Sequence, residues 1–261
     1  MPLSPQEIAS AAAILSQRRL AGTQGPVLAA ACRPQTLDEA WAIQQAVASH
    51  MNGLGDAVGA WKCGTPAPDR LVAAPIYAST VHNKPVCPVW AHEGRCRVEP
   101  ELAFVLRHDL PSRVQPYERA EVESALGRAH VALELIDSRY EAAAPLTFAD
   151  KLADGLVNQG LWIGPEVPLQ QALAASHMRV RWCSEHTSWQ QLDGVHPDQD
   201  PLAPLVWLVN HLSQCGIGLA AGVPVITGSY AGTIACPVEE TLRFGFGDGA
   251  EVSLQLIARA R

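Results

Sequence analysis

Apolar residues recur at helical spacing over the first fifty positions, and at alternate positions in short runs over most of the remainder. Ile8, Ala11, Ala12 and Leu15 share one helical face. Ser4-Pro5-Gln6-Glu7 ahead of them supplies a start: a capping serine, a proline at the first helical position and a glutamate that closes the capping box. Thr36-Leu37-Asp38-Glu39 repeats the device, and Ala40, Ile43, Val47 and Met51 predict an inner face ending at Gly53. The two helices read as a small N-terminal segment over residues 1–55 whose role is packing, ahead of a main domain over 56–261.

From Val58 onward glycines and prolines cut the pattern into shorter pieces. Residues 97–106, 131–136, 161–164, 178–182, 223–227 and 252–256 predict strands, 58–66 reads as a short apolar segment broken by glycine and proline, and 73–81 as a loop or short strand. Residues 117–126 predict a surface helix stopped by Gly127. Asp200-Pro201 opens a helix through Leu205, Leu208, Val209 and Leu212 that ends near Gly216, whereas 150–160 reads as a loop leading into a strand. Strands and helices are unevenly mixed, without regular βαβ alternation, which favours α+β over a doubly wound sheet or a (β/α)₈ barrel.

Three acids interrupt this pattern. Glu99 and Glu101 stand two apart in the run that continues through Ala103 and Val105, so in a strand all four share a face, and that face is otherwise apolar. Glu-x-Glu pairs in strands usually lie on a wet face; Glu134 changes the balance, because Val131-Ala132-Leu133-Glu134-Leu135-Ile136 is apolar on both faces around it. Buried carboxylates repel one another and lose hydration unless a cation is shared among them. Three carboxylates without histidine or cysteine suit a hard cation, Mg²⁺ or Mn²⁺ before Ca²⁺. Lys62, in an apolar run between Gly59 and Gly64, reads on its own as an ammonium snorkelling to water, with an active-site role as the other reading.

Composition narrows the function classes. A chain of 261 residues, 48% hydrophobic, can bury a full core, and a formal net charge of -7 without a basic stripe makes nucleic acid and anionic membrane poor partners. The start lacks a basic and apolar leader and no apolar run reaches bilayer length, so the expected location is the cytoplasm. The seven cysteines are scattered, with no Cys-x-x-Cys, and read as small buried hydrophobes instead of a disulfide framework or zinc site. Gly216-Ile217-Gly218 follows a helix instead of joining a strand to one, so it is no dinucleotide fingerprint, and Gly228-Ser229 lacks the preceding glycine of a nucleophile elbow.

The motifs also stand in a telling order: Trp61-Lys62-Cys63-Gly64, then Val98-Glu99-Pro100-Glu101-Leu102-Ala103-Phe104, then Glu134-Leu135-Ile136-Asp137-Ser138-Arg139, then Leu205-Val206-Trp207-Leu208-Val209-Asn210, then Val225-Ile226-Thr227-Gly228-Ser229. Over nearly its whole length the chain resembles the fumarylacetoacetate hydrolase superfamily, most closely the branch of 2-keto-4-pentenoate hydratases and 4-oxalocrotonate decarboxylases. The resemblance implies a mixed, layered β-sheet core with flanking helices, beside the small N-terminal helical segment, and assembly into homo-oligomers. It implies that Glu99, Glu101 and Glu134 hold one Mg²⁺ or Mn²⁺ that chelates a small 2-oxo acid, and that Lys62 is a catalytic residue; its ammonium can add positive charge near the same oxygen or move a proton, provided that metal and burial depress its pKa. Asp154 is the second catalytic candidate; Ser138, Arg139, Asn158, Thr227 and Ser229 are the substrate-binding candidates.

The chain also departs from the branch. Pro75-Ile76-Tyr77-Ala78 lacks the acid common there, the nearest being Asp69; Gly155 replaces an asparagine, Asn158 stands where a serine is usual, and Gly222-Val223 replaces Gly-Asp. The expected activity is a metal-dependent lyase on a 2-oxo or 2-hydroxy-dienoic acid in aromatic-compound degradation, hydratase ahead of decarboxylase, with other enzymes of that pathway as candidate partners. The alternatives are a C–C hydrolase of acylpyruvates, with His82 or His92 as base, and a 2-oxo acid binding protein without turnover.

Overall fold

The computed structural model describes residues 2–260. Helices α1 (Pro5–Ala21) and α2 (Leu37–Gly53) come first. They are followed by β1 (Val58–Cys63), β2 (Ala73–Tyr77), β3 (Val81–His82), β4 (Val86–Val89), β5 (Arg95–Leu106), α3 (Arg119–Ala125), β6 (Leu126–Ile136), α4 (Phe148–Ala153), β7 (Asn158–Val167) and α5 (Leu169–Leu173). The chain ends with β8 (His177–Ser184), β9 (Gln190–Val195), α6 (Ala203–Gln214), β10 (Pro224–Ile226), β11 (Ile234–Pro237), β12 (Thr241–Phe246) and β13 (Ala250–Ala258). Both N-terminal helices carry the capping boxes that their sequences predict, Ser4 with Glu7 and Thr36 with Glu39.

The strands form two mixed sheets. The larger runs β2-β1-β10-β5-β6-β7-β3, with β11 paired to the outer part of β5, and the smaller runs β4-β13-β12-β8-β9. Parallel pairs β1/β10 and β3/β7 stand among antiparallel ones in the larger sheet. The α+β class and layered mixed core are as the sequence implies.

Alternation along β5 and β6 divides the interior. Leu102, Phe104, Leu106, Val131, Leu133 and Leu135 face a large core shared with Phe244, Leu254 and Leu256 of the smaller sheet and with Leu205, Leu208 and Leu212 of α6. On the opposite face Ala60, Ile76, Ala103, Ala132, Leu161 and Ile226 make a small, fully buried cluster. A third cluster joins α1, α2 and α4 to Tyr77 and Tyr140. The seven cysteines are free and six of them are buried. Among the described residues no helix is long and apolar enough to cross a membrane.

Two local expectations are corrected. Gly127 does not stop a helix at 126; α3 ends at Ala125, and Leu126 and Gly127 already belong to β6. A Cβ at Gly127 would lie 2.8 Å from that of Arg107, so this glycine serves a close strand approach. The stretch 150–160 is not all loop, because Thr147 and Asp150 form a capping box that opens the short α4. An aspartate in the glutamate's place of that box made the start hard to see.

Candidate active site

Pairing of β5 with β6 sets Glu99 opposite Glu134 and Glu101 opposite Ala132, which puts the three acids on one face. One carboxylate oxygen from each of Glu99, Glu101 and Glu134 lies within 4.8 Å of the others. Lys62 reaches the same place from β1, through the register Lys62–Ile226 and Ile226–Ala103 across β10. Its Nζ donates to both oxygens of Glu134, at 2.6 and 2.7 Å. Burial is graded along β5: Ala103 is fully enclosed, Glu101 is 2% exposed, Glu99 is half-buried and Arg97 is exposed. The acids therefore stand between an apolar floor and solvent.

Each acid has its own donor. Asn158 Nδ2 donates to Glu134 Oε1 at 2.9 Å, the Gly228 backbone N–H to Glu101 Oε2 at 2.7 Å, and the Thr233 hydroxyl to Glu99 Oε1 at 2.6 Å. Gly228 has φ +143°, and a Cβ there would meet the Pro197 ring at 3.0 Å, so glycine at this place lets its N–H face Glu101. Three carboxylates against one ammonium would, if all were ionised, leave two negative charges uncompensated. Burial and the Glu134 charge push Glu101 well above the usual carboxylate range, despite Lys62. Burial also raises Glu134, with Lys62 opposing. For Lys62, burial depresses the pKa as the sequence reading requires, but Glu134, Glu99 and Glu101 together outweigh it and the net shift is upward. Without the charge of a bound metal, the ammonium is therefore held protonated. An all-oxygen donor set that, ionised, carries two negative charges in excess fits a hard divalent cation, which would take the place of the proton.

The other predicted residues fall into two groups. Asn158 and Thr227 are buried beside the acids' own strands and donors. Thr227 Oγ1 lies 3.4 Å from His196 Nε2, and His196 Nδ1 accepts the Asp198 N–H at 3.2 Å, which places the ring proton on Nε2. Burial holds His196 neutral by lowering its pKa. In contrast, Arg139 and Asp154 are spent on each other: Nε and Nη2 of the guanidinium donate to the carboxylate at 2.5 and 3.0 Å. An arginine so engaged has no fork open for a substrate carboxylate, and no hydrogen bond joins either residue to the three acids. The Ser138 hydroxyl accepts the Tyr140 N–H, and Ser229 braces its own turn through Pro100 and Gly232 carbonyls. His92 is hydrogen-bonded to buried Asp137 at 2.8 Å, and burial lowers the His82 pKa.

Gly228, Thr233 and His196 have site contacts that the sequence reading did not assign. Gly228 was visible as part of a tight loop; Thr233 and His196 lie in no motif and become partners only through long-range pairing of β11 and the segment before α6. A cavity of about 910 Å³ is bordered by Val167, Met178, Val195 and Phe246 and holds none of the three acids.

No family model matches the chain. Two curated proteins match in part: 2-oxo-hept-4-ene-1,7-dioate hydratase of Escherichia coli, 25% identical over 174 residues, and 2-keto-4-pentenoate hydratase 1 of Dechloromonas aromatica (strain RCB), 31% identical over 142 residues. The matched stretches cover 62% and 53% of this chain but only 61% and 52% of those proteins, little more than half their length. Among solved structures, the 4-oxalocrotonate decarboxylase from Pseudomonas putida G7 superimposes with a TM-score of 0.79 at 16% identity, covering 98% of this chain and 99% of that one. That protein is complexed with calcium and acetate in one structure and with magnesium and adipate in another. At such identity the structural likeness is one of fold. Whole-length likeness of fold to the decarboxylase, and sequence similarity to the two hydratases over more than half the chain, agree with the resemblance to the fumarylacetoacetate hydrolase superfamily that the ordered motifs carry.

Proposed function

We propose that the chain is a divalent-metal-dependent lyase acting on a 2-oxo or 2-hydroxy-dienoic acid, with hydration of a 2-keto-4-pentenoate type substrate as its reaction. The observation that carries this reading is the convergence of Glu99, Glu101 and Glu134 within 4.8 Å around a protonated Lys62. The names of the two curated relatives support hydration in particular. In this reading the three glutamates hold Mg²⁺ or Mn²⁺, which when bound supplies a Lewis-acid centre for the negative charge that develops on the 2-oxo oxygen. Lys62 keeps a proton at Nζ and is the group to deliver it. Asn158 orients Glu134, and Thr227, fixed by neutral His196, offers a hydroxyl at the end of β10. Asp154 and Arg139 act indirectly, by holding the loop ahead of β7. A homo-oligomer in the cytoplasm, working in aromatic-compound degradation, completes the proposal on the strength of the family resemblance.

One observation favours a second reading, decarboxylation of a 4-oxalocrotonate-type dicarboxylate. Ala73–Tyr77 is buried throughout and carries no acid, so that edge lacks a second proton carrier for adding water. Absorbance of freshly formed 2-hydroxypenta-2,4-dienoate with Mg²⁺, with and without EDTA, and NMR of the products test both. EDTA-sensitive formation of 4-hydroxy-2-oxovalerate supports the hydratase. CO₂ release from 4-oxalocrotonate without hydration transfers the proposal to the second reading. Absence of metal-dependent turnover on either, with no metal-dependent binding of oxalate, overturns it.

A further inference from the structure

We propose that Arg19 of the N-terminal helix is a positioning residue of the active site, clamping from outside the loop that presents Asn158 to Glu134. The inference rests on the metal-site reading above. Arg19 lies one helical turn beyond Leu15, which is buried on the inner face of α1. Its Nη1 donates to the Asn158 carbonyl at 2.9 Å and its Nη2 to the Asp154 carbonyl at 3.0 Å, while the guanidinium lies 5.2 Å from the centre of the Tyr77 ring. The two carbonyls bracket one short loop.

That loop is strained. Gly155, Leu156 and Val157 have φ of 72°, 53° and 59°, so three successive residues are left-handed and two of them carry side chains. Each such non-glycine residue is disfavoured by its own Cβ and persists only where the surroundings over-determine it. Part of the restraint is internal, from the Leu156 N–H to the Lys151 carbonyl at 2.7 Å and the Asn158 N–H to the Gly155 carbonyl at 3.1 Å. Arg139 adds its grip on Asp154 from the other side. The loop delivers Asn158, whose carboxamide donates to Glu134 Oε1 and to the Gly160 carbonyl.

Packing alone does not account for an arginine here. Its hydrogen bonds go to carbonyls and none to a carboxylate, and burial together with neighbouring Arg139 lowers its pKa to about 10. A methionine or leucine would fill the same space without desolvating a charge. What the guanidinium adds is a planar fork that spans two carbonyls four residues apart.

Arg19→Met and Arg19→Lys test the clamp, with Leu15→Ala as a packing control on the same helix face. Three readouts are needed: hydrogen exchange of the amides of residues 155–158, Mn²⁺ affinity by calorimetry, and Tm. Arg19→Met is expected to speed exchange in that segment about tenfold or more and to weaken Mn²⁺ binding about tenfold, with partial recovery in Arg19→Lys. Leu15→Ala, at an equal or larger fall in Tm, should do neither. Exchange in Arg19→Met no faster than in the control overturns the clamp, and a loosened loop with unchanged Mn²⁺ affinity overturns its link to the site. Should the unaltered protein bind no Mn²⁺, the metal-site reading fails on its own, and with it the positioning role, whatever exchange says of the loop. If Arg19→Met does not fold, the Arg19→Lys comparison with the control decides.

Discussion

Lys62 and Glu134 form a buried pair in which removing one partner strands the other, and the two neighbouring acids make the stranding worse. Lys62→Met is expected to destabilise the metal-free protein by about 3 kcal/mol, since breaking a buried pair leaves an uncompensated charge. The same change should cut turnover about 10²–10⁴-fold while Mn²⁺ affinity holds or tightens; calorimetry beside turnover assays checks this, and normal turnover with lost metal would reverse the assignment. Glu101→Gln is expected to behave oppositely. Its amide can still accept the Gly228 N–H, and it removes a carboxylate that burial already disfavours. Metal-dependent thermal stabilisation and activity should vanish, with the metal-free Tm no lower than that of the unaltered protein. These four charges were legible in the sequence because each interrupts an apolar alternation. Thr233 and His196 were not, since a lone threonine or histidine in a loop carries no such contrast.

At the scale of elements, the approach to β7 is the place where backbone and side chain disagree. Val157 is β-branched at φ 59°, a conformation open to glycine. Val157→Gly is therefore expected to leave stability within about 1 kcal/mol of the original, where a valine in a buried strand would cost more. Chemical denaturation measures it, and a loss above about 2 kcal/mol would show that the side chain's packing governs the position. Elements with strong local signals, the two capping boxes and the alternations of β5 and β6, were readable before folding. Those defined by partners were not. Short β11 exists because it pairs residue by residue with Arg95–Val98, and α4 hides behind an aspartate in a glutamate's place. Of the left-handed run before Asn158, only Gly155 left a trace in residue type, because leucine and valine are the last residues that such a backbone would suggest.

For the whole molecule, acid acts through two groups of opposite sign. His82, His196 and His211 have pKa values lowered from 6.5, chiefly by burial. The unfolded chain then binds more protons than the folded one just below pH 6.5, so stability present above that pH is lost as pH falls. Glu101 is raised above 4.5, so in the metal-free protein the folded state binds the extra proton and stability falls as pH rises above 4.5. Tm measured in EDTA against pH should show the first effect in both the unaltered protein and Glu101→Gln, with the gap between them widening above pH 4.5 in favour of the variant; a constant gap would contradict the buried-carboxylate account. Fold class could be read from the mixture of elements, but the order β1-β10-β5 could not, because it joins residues more than a hundred positions apart and only tertiary packing selects it.

Crowding of the acids also bears on how the protein endures. On the proposed metal-site reading, a chain that must hide surplus negative charge to finish folding is held in its native form by bound positive species, a proton or a dication, and the two compete for one seat. By mass action the folded fraction then follows free-cation concentration, rising by the logarithm of its excess over the dissociation constant. Supply of the ion would set how long each copy survives as well as how fast it works.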